Sequence, residues 1–123
     1  MAKILVVDDD KDIVDLICFL VQKDGHTTLK AGDGQACLDQ VAREKPDMIV
    51  LDVMMPVMDG YTVVTQLASN DETRAIPILI LTAKGQMREM FQMASNVADY
   101  LEKPFDPDKL RAQVTKILAG RPR

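Results

Sequence analysis

Five short aliphatic runs, each followed by a segment with another periodicity, constrain this chain more than any other feature. They are Lys3–Val7, Thr27–Ala31, Asp47–Leu51, Ile78–Thr82 and Ala98–Leu101. Runs of solid rather than alternating apolar character predict strands buried on both faces, as in a parallel sheet covered by helices. The segments between them have helical spacing. Ile13, Leu16, Ile17 and Leu20 stand at i, i+3, i+4 and i+7, and Gly25 follows as a stop. Met87, Met90, Phe91 and Ala94 repeat that spacing and predict a fourth helix. Asp106-Pro107 opens the last helix as an N-cap followed by proline at the first helical position. Leu110, Val114, Ile117 and Leu118 continue it, with Gly120 where a C-cap belongs. Five such units predict a doubly wound α/β domain with a five-stranded parallel sheet and helices on both faces. The flavodoxin-like order 2-1-3-4-5 is common for this size. Ligands of such sheets bind beyond the carboxyl ends of the strands, where the order switches.

A length of 123 residues predicts one domain, large enough for a real core. The 47% hydrophobic and 28% charged residues are those of an ordinary soluble protein. Apolar stretches such as Met48–Leu51 are far too short to cross a bilayer, so no membrane insertion is expected. Lys3 leads straight into a strand-like run, so no signal peptide is expected either, which predicts a cytoplasmic location. The formal net charge of −4 argues against a non-specific nucleic-acid surface. Cys18 and Cys37 lack metal-ligand spacing and read as reduced core thiols.

On this frame the polar residues converge. "VVDDDKDIV" at 6–14 sets three like charges at the end of a buried-looking strand, and crowded carboxylates resist ionising together. Asp8 and Asp9 follow the first strand, Asp52 the third, Thr82 ends the fourth and Lys103 follows the fifth. In the order 2-1-3-4-5 the first and third strands are neighbours, roughly 4.8 Å apart, so their terminal acids meet at one rim. Three carboxylates there suit Mg²⁺, which takes a few acids plus waters. A hydroxyl and an ammonium on the next two strands suit an anion beside it, and together they describe a phosphoryl site. Each residue taken singly has a duller reading. Asp10 is most simply the N-cap of the first helix, Thr82 a strand-end threonine, and Lys103 a surface lysine. Asp52 is harder to dismiss, because "LDVMMP" runs into Pro56 rather than into a helix needing a cap.

Four stretches in order, "ILVVDD" at 4–9, "IVLDVMMPVMDG" at 49–60, "ILILTA" at 78–83 and "DYLEKPF" at 99–105, give the chain its resemblance. Over essentially its full length it resembles the receiver domain of two-component response regulators. The resemblance implies that residues 1–119 form the receiver and 120–123 a tail or the start of a linker. It implies that Asp52 accepts a phosphoryl group from a phosphohistidine, giving an aspartyl phosphate. Asp9 would bind Mg²⁺ directly and Asp8 through water, with Asp52 and the backbone oxygen of Met54 completing the metal's protein ligands. Lys103 would pair with a phosphoryl oxygen, Thr82 would offer it a hydroxyl, and Ala83 would be small enough to give it room. Thr82 and Tyr100 would be the switch, and the surface of the fourth helix, fifth strand and fifth helix the output. The Lys103–Pro104 bond would be cis. Implied partners are a sensor histidine kinase or phosphotransfer protein, and a downstream effector or fused output domain. Direct nucleic-acid binding by this domain is not implied, nor is any catalysis beyond its own phosphorylation and dephosphorylation.

The sequence departs from the family between Thr82 and Tyr100, a stretch one residue shorter than usual. Gly85 stands where the fourth helix should begin, and Asn96, where glycine is common, suits a left-handed cap. Met54 and Lys84 occupy positions that tune hydrolysis, and neither offers a group to orient water, which predicts a long-lived phosphorylated state. Three other readings compete. One is a phosphorylation-independent docking or dimerising module of a larger protein, with "AGRPR" at 119–123 opening a linker. A second is a hydrolase using Asp52, disfavoured because Val53-Met54 supplies no second acid. The third is a receiver-like module that docks without being phosphorylated, disfavoured by the complete acid, threonine and lysine set.

Overall fold

The computed structural model describes residues 2–52, 60–83 and 95–120. In chain order they form β1 (Lys3–Val7), α1 (Lys11–Lys23), β2 (Thr27–Ala31), α2 (Gly34–Glu44), β3 (Met48–Asp52), α3 (Gly60–Ser69), β4 (Ile78–Ala83), β5 (Val97–Lys103) and α4 (Pro107–Gly120). The strands make one five-stranded sheet in the order β2-β1-β3-β4-β5, every pairing parallel. This is the doubly wound, flavodoxin-like architecture that the alternating periodicities predict. The first two strands have their expected bounds, β3 is displaced by one residue, and β4 and β5 are longer than expected. The predicted helix at Met87–Ala94 lies outside the described residues, as do Met54, Lys84, Gly85 and Met93. The predicted fifth helix is α4.

Residues alternate across each strand, so the sheet builds two cores. Ile4, Val6, Met48, Val50, Leu79 and Leu81 face α1 and α4. Leu5, Val7, Ile49, Leu51, Ile78 and Ile80 face α2 and α3. The central strand β3 is buried throughout, whereas β2 and β5 are only partly so. Each of those two is an edge strand with a single neighbour, which is why "TTLKA" and "VADYLEK" carry more polar residues. Cys18 and Cys37 are buried free thiols, and burial pushes Cys37 up to about 12. Such thiols are inert packing groups.

Helix ends follow the local chemistry of the sequence. Asp10 caps α1, its side chain accepting from the backbone N–H groups of Asp12 and Ile13 at 2.9 and 3.4 Å. Gly25, at φ 91°, lets the chain turn back, so that its N–H bonds the carbonyl of Gln22 and that of His26 bonds Val21. Asp106 opens α4 just before Pro107, accepting from Asp108 N–H at 2.9 Å. Gly120 is the last helical residue rather than a cap beyond the helix. We expect Asp10→Ala to cost about 1 kcal/mol in urea unfolding; an unchanged midpoint would show that this cap contributes nothing.

Asn96 departs from expectation. Lys45 is the only non-glycine with positive φ among the described residues, so Asn96 is no left-handed cap. It is instead buried, 4% exposed, and acts as a strut. Its side-chain amide N–H donates to the Val64 carbonyl in α3 at 3.2 Å, and its backbone carbonyl accepts from Ile78 N–H.

Candidate functional site

Parallel strands deliver their carboxyl ends to the same rim, and the register decides which side chains meet there. Val7 of β1 is paired with Leu51 of β3, so the next residues, Asp8 and Asp52, come side by side. Asp52 is paired with Leu81, one residue before Thr82. Glu102 is paired with Thr82, and Ala83 with Lys103. Asp8, Asp9, Asp52, Thr82 and Lys103 are thereby gathered from four strand ends. Ala83 is described by its backbone only.

Three acids form the floor. Asp8, Asp9 and Asp52 can each bring a carboxylate oxygen within 4.8 Å of the others. Asp8 and Asp52 are buried, 2% and 4% exposed, whereas Asp9 is open to solvent. Lys103 reaches over them, its Nζ 2.7 Å from Asp8 Oδ2 and 3.5 Å from Asp52 Oδ2. Burial alone would push this ammonium down, but the hydrogen bond to Asp8 and the charges of Asp52 and Asp8 hold it above its ordinary 10.5. Lys103 therefore remains cationic at neutral pH. Its stabilising contribution is complete below 10.5 and fades only as pH rises through the higher folded value.

Asp8 has both oxygens engaged, since Oδ1 accepts from Asp10 N–H at 3.0 Å. The three consecutive acids thus divide their work. Asp8 is pinned inside by Asp10 and Lys103, Asp9 projects outward, and Asp10 caps α1. The pinning of Asp8 was not read from the sequence, although an aspartate two residues before a helix cap has the spacing of an Asx turn. The Lys103–Asp8 pair had no such signal.

Thr82 is 1% exposed, and its hydroxyl oxygen has no hydrogen-bond partner among the described residues. A buried hydroxyl left unpaired is costly. Tyr100 lies two residues upstream of Glu102 on β5, in register with Ile80, and packs against the second core. The Lys103–Pro104 peptide is cis, as the resemblance implied.

An acid cluster, a buried hydroxyl unpaired among the described residues and a lysine meet at the rim of a 2-1-3-4-5 sheet, the arrangement expected of a signalling receiver. Residues 4–115 match the response regulator receiver domain model, and the chain belongs to that family of two-component systems. It is 41% identical over 94% of its length to the alkaline phosphatase synthesis transcriptional regulatory protein PhoP of Bacillus subtilis, of which it covers 48%. It is 36% identical over 98% of its length to Protein PilH of Pseudomonas aeruginosa, covering 100% of that protein. The chain spans about half the length of PhoP and of Synechocystis RpaA. Among solved structures, a response regulator from Chloroflexus aurantiacus superposes with TM-score 0.90 at 33% identity, covering 96% of this chain and 98% of that one. The chemotaxis response regulator CheY4 of Vibrio cholerae gives 0.87 at 28% identity, over 95% and 98% of the two chains. Receiver domains generally bind Mg²⁺ at an acidic pocket and work with histidine kinases and effector or output domains. Among the described residues no helix is long and apolar enough to cross a membrane.

Proposed function

We propose that Asp52 is the phospho-acceptor and that its modification switches which partner the domain engages. The single observation that carries this reading is the buried Thr82 hydroxyl, unpaired among the described residues, at a rim that also holds Asp52 and Lys103. In the transfer, an Asp52 oxygen attacks phosphorus as the bond from phosphorus to the donor histidine nitrogen breaks. The electrons of that bond leave with the imidazole, and Asp52 carries the phosphoryl group as an acyl phosphate. Lys103 exchanges part of its contact with Asp8 for a phosphoryl oxygen, and Thr82 donates its hydroxyl to another. The donor set fits Mg²⁺: three hard carboxylates, of which the exposed Asp9 would take the ion directly and Asp8 would act through water. When bound, the ion supplies charge neutralisation for the transferring group. Asp52 and the Met54 carbonyl would complete its protein ligands.

The added charge, about −1.5 to −2 at neutral pH, arrives where a cation and a hydroxyl already wait. Thr82 and Tyr100 then bias a two-state equilibrium that a partner reads. Sensor kinases or phosphotransfer proteins would load the site, and an effector or fused output domain would read it. The chain would act on its own phosphoryl group and on no other substrate. The receiver would extend through Gly120, the last residue of α4.

Incubation with Mg²⁺ and acetyl phosphate should add one phosphoryl mass to the wild type and none to Asp52→Asn. An unmodified wild type, or equal labelling of both, would refute the assignment.

A further inference from the structure

On the edge of β5, away from β4, Gln113 of α4 makes a contact that the phosphoryl site does not account for. Its Nε2 donates to Asp99 Oδ2 at 3.0 Å and to the Tyr100 carbonyl at 3.1 Å. The other Asp99 oxygen accepts from the Tyr100 N–H at 2.8 Å. An edge strand presents backbone groups with no neighbouring strand to pair them, and here one amide and one carboxylate serve both polar groups of Tyr100. The contact has one allowed orientation, because a turned amide would aim its oxygen at two acceptors. Gln113 Oε1 is itself buried without a hydrogen-bond partner among the described residues, so the side chain is held by its donor end alone.

The helix is also gripped from the other side. Arg111 reaches Asp24 at the end of α1 with two hydrogen bonds, of 3.1 and 2.6 Å. Positions 111 and 113 are about 200° apart around a helix, so α4 is tied to α1 on one flank and to β5 on the other. Tyr100 precedes Lys103 by three residues on the same strand, and Glu102 between them is the register partner of Thr82. A change in β5 as Lys103 and Thr82 engage an anion must carry Gln113 with it or leave the Tyr100 carbonyl and Asp99 without their donor.

We infer that Gln113 is a positioning residue that transmits the state of the Asp52 site to the C-terminal helix through the Tyr100 carbonyl. The inference rests on the phosphoryl-switch reading above. The probe is beryllofluoride with Mg²⁺, added to the intact chain as wild type, Gln113→Glu, Gln113→Leu and Gln113→Lys. Fluorine NMR reads loading, and amide shifts of residues 108–118 read the helix. All four proteins should show bound fluorine. The helix shifts should persist in wild type and in Gln113→Lys, which keeps a donor, and fall to less than half in Gln113→Glu and Gln113→Leu. Gln113→Leu adds no charge beside Asp99, so it decides the matter if Gln113→Glu folds poorly. A role confined to satisfying the strand edge would lower the melting temperature of Gln113→Leu and leave its loaded helix shifts unchanged, which would overturn the inference alone. Absence of bound fluorine in the wild type would overturn it together with the phosphoryl reading.

Discussion

Lys103→Met should lose about 2 kcal/mol of stability in metal-free buffer, because removing one partner of a buried ion pair strands the charge left behind. Two buried carboxylates, Asp8 and Asp52, share that ammonium, and its side chain is only 26% exposed. Millimolar Mg²⁺ should narrow the gap between the variant and wild type, since the ion replaces the missing positive charge. Beryllofluoride should also bind the variant about tenfold more weakly or worse, the loss of one charge-assisted hydrogen bond. The alkaline limb should differ too. Wild type loses the Lys103 contribution as pH climbs beyond 10.5, and Lys103→Met has none to lose. Urea unfolding with and without Mg²⁺ reads the first two effects against Lys116→Met, an exposed lysine on α4 that should change stability by no more than about 0.5 kcal/mol. Equal midpoints for the two variants would mean that Lys103 does not compensate the acids.

Leu51→Ala should cost about 2–5 kcal/mol, the largest effect expected of any single truncation discussed for this chain. Leu51 is fully buried on the middle strand, in the core shared with α2 and α3. A cavity there cannot close easily, because β3 is fixed by β1 on one side and β4 on the other. It would also loosen the residue immediately before Asp52, so beryllofluoride binding should weaken along with stability. The melting temperature should fall by roughly 10 °C. Leu16→Ala, at a site 41% exposed, should stay within about 0.5 kcal/mol of wild type. Calorimetry of both decides it, and a loss below about 1 kcal/mol at Leu51 would contradict the packing described.

Much of the site is legible in the sequence because a parallel sheet converts sequence position into place. Each strand points the same way, so a residue just past an apolar run lies at the common rim whatever the loops do. Asp8, Asp52, Thr82 and Lys103 follow from that rule together with the strand order. The caps were legible for a different reason: Asp10 and Asp106-Pro107 act on backbone groups two or three residues away, within reach of local pattern.

What escaped the sequence depends on approach between distant segments. Lys103 meets Asp8 across 95 residues, and Asn96 meets Val64 across 32. Gln113 carries no motif, and only the packing of α4 against an edge strand makes its amide the partner of Tyr100. Asn96 was expected to serve its own turn, yet burial beside α3 offered its amide a better acceptor. The sequence by itself determined the succession of strands and helices, the caps at Asp10 and Asp106 and the inventory of the rim, because periodicity and capping are local. Only the tertiary structure decided which acid holds the lysine, that the Thr82 hydroxyl is buried without a partner among the described residues and how the last helix is tied to β5. Those are matters of distance between groups that no local pattern brings together.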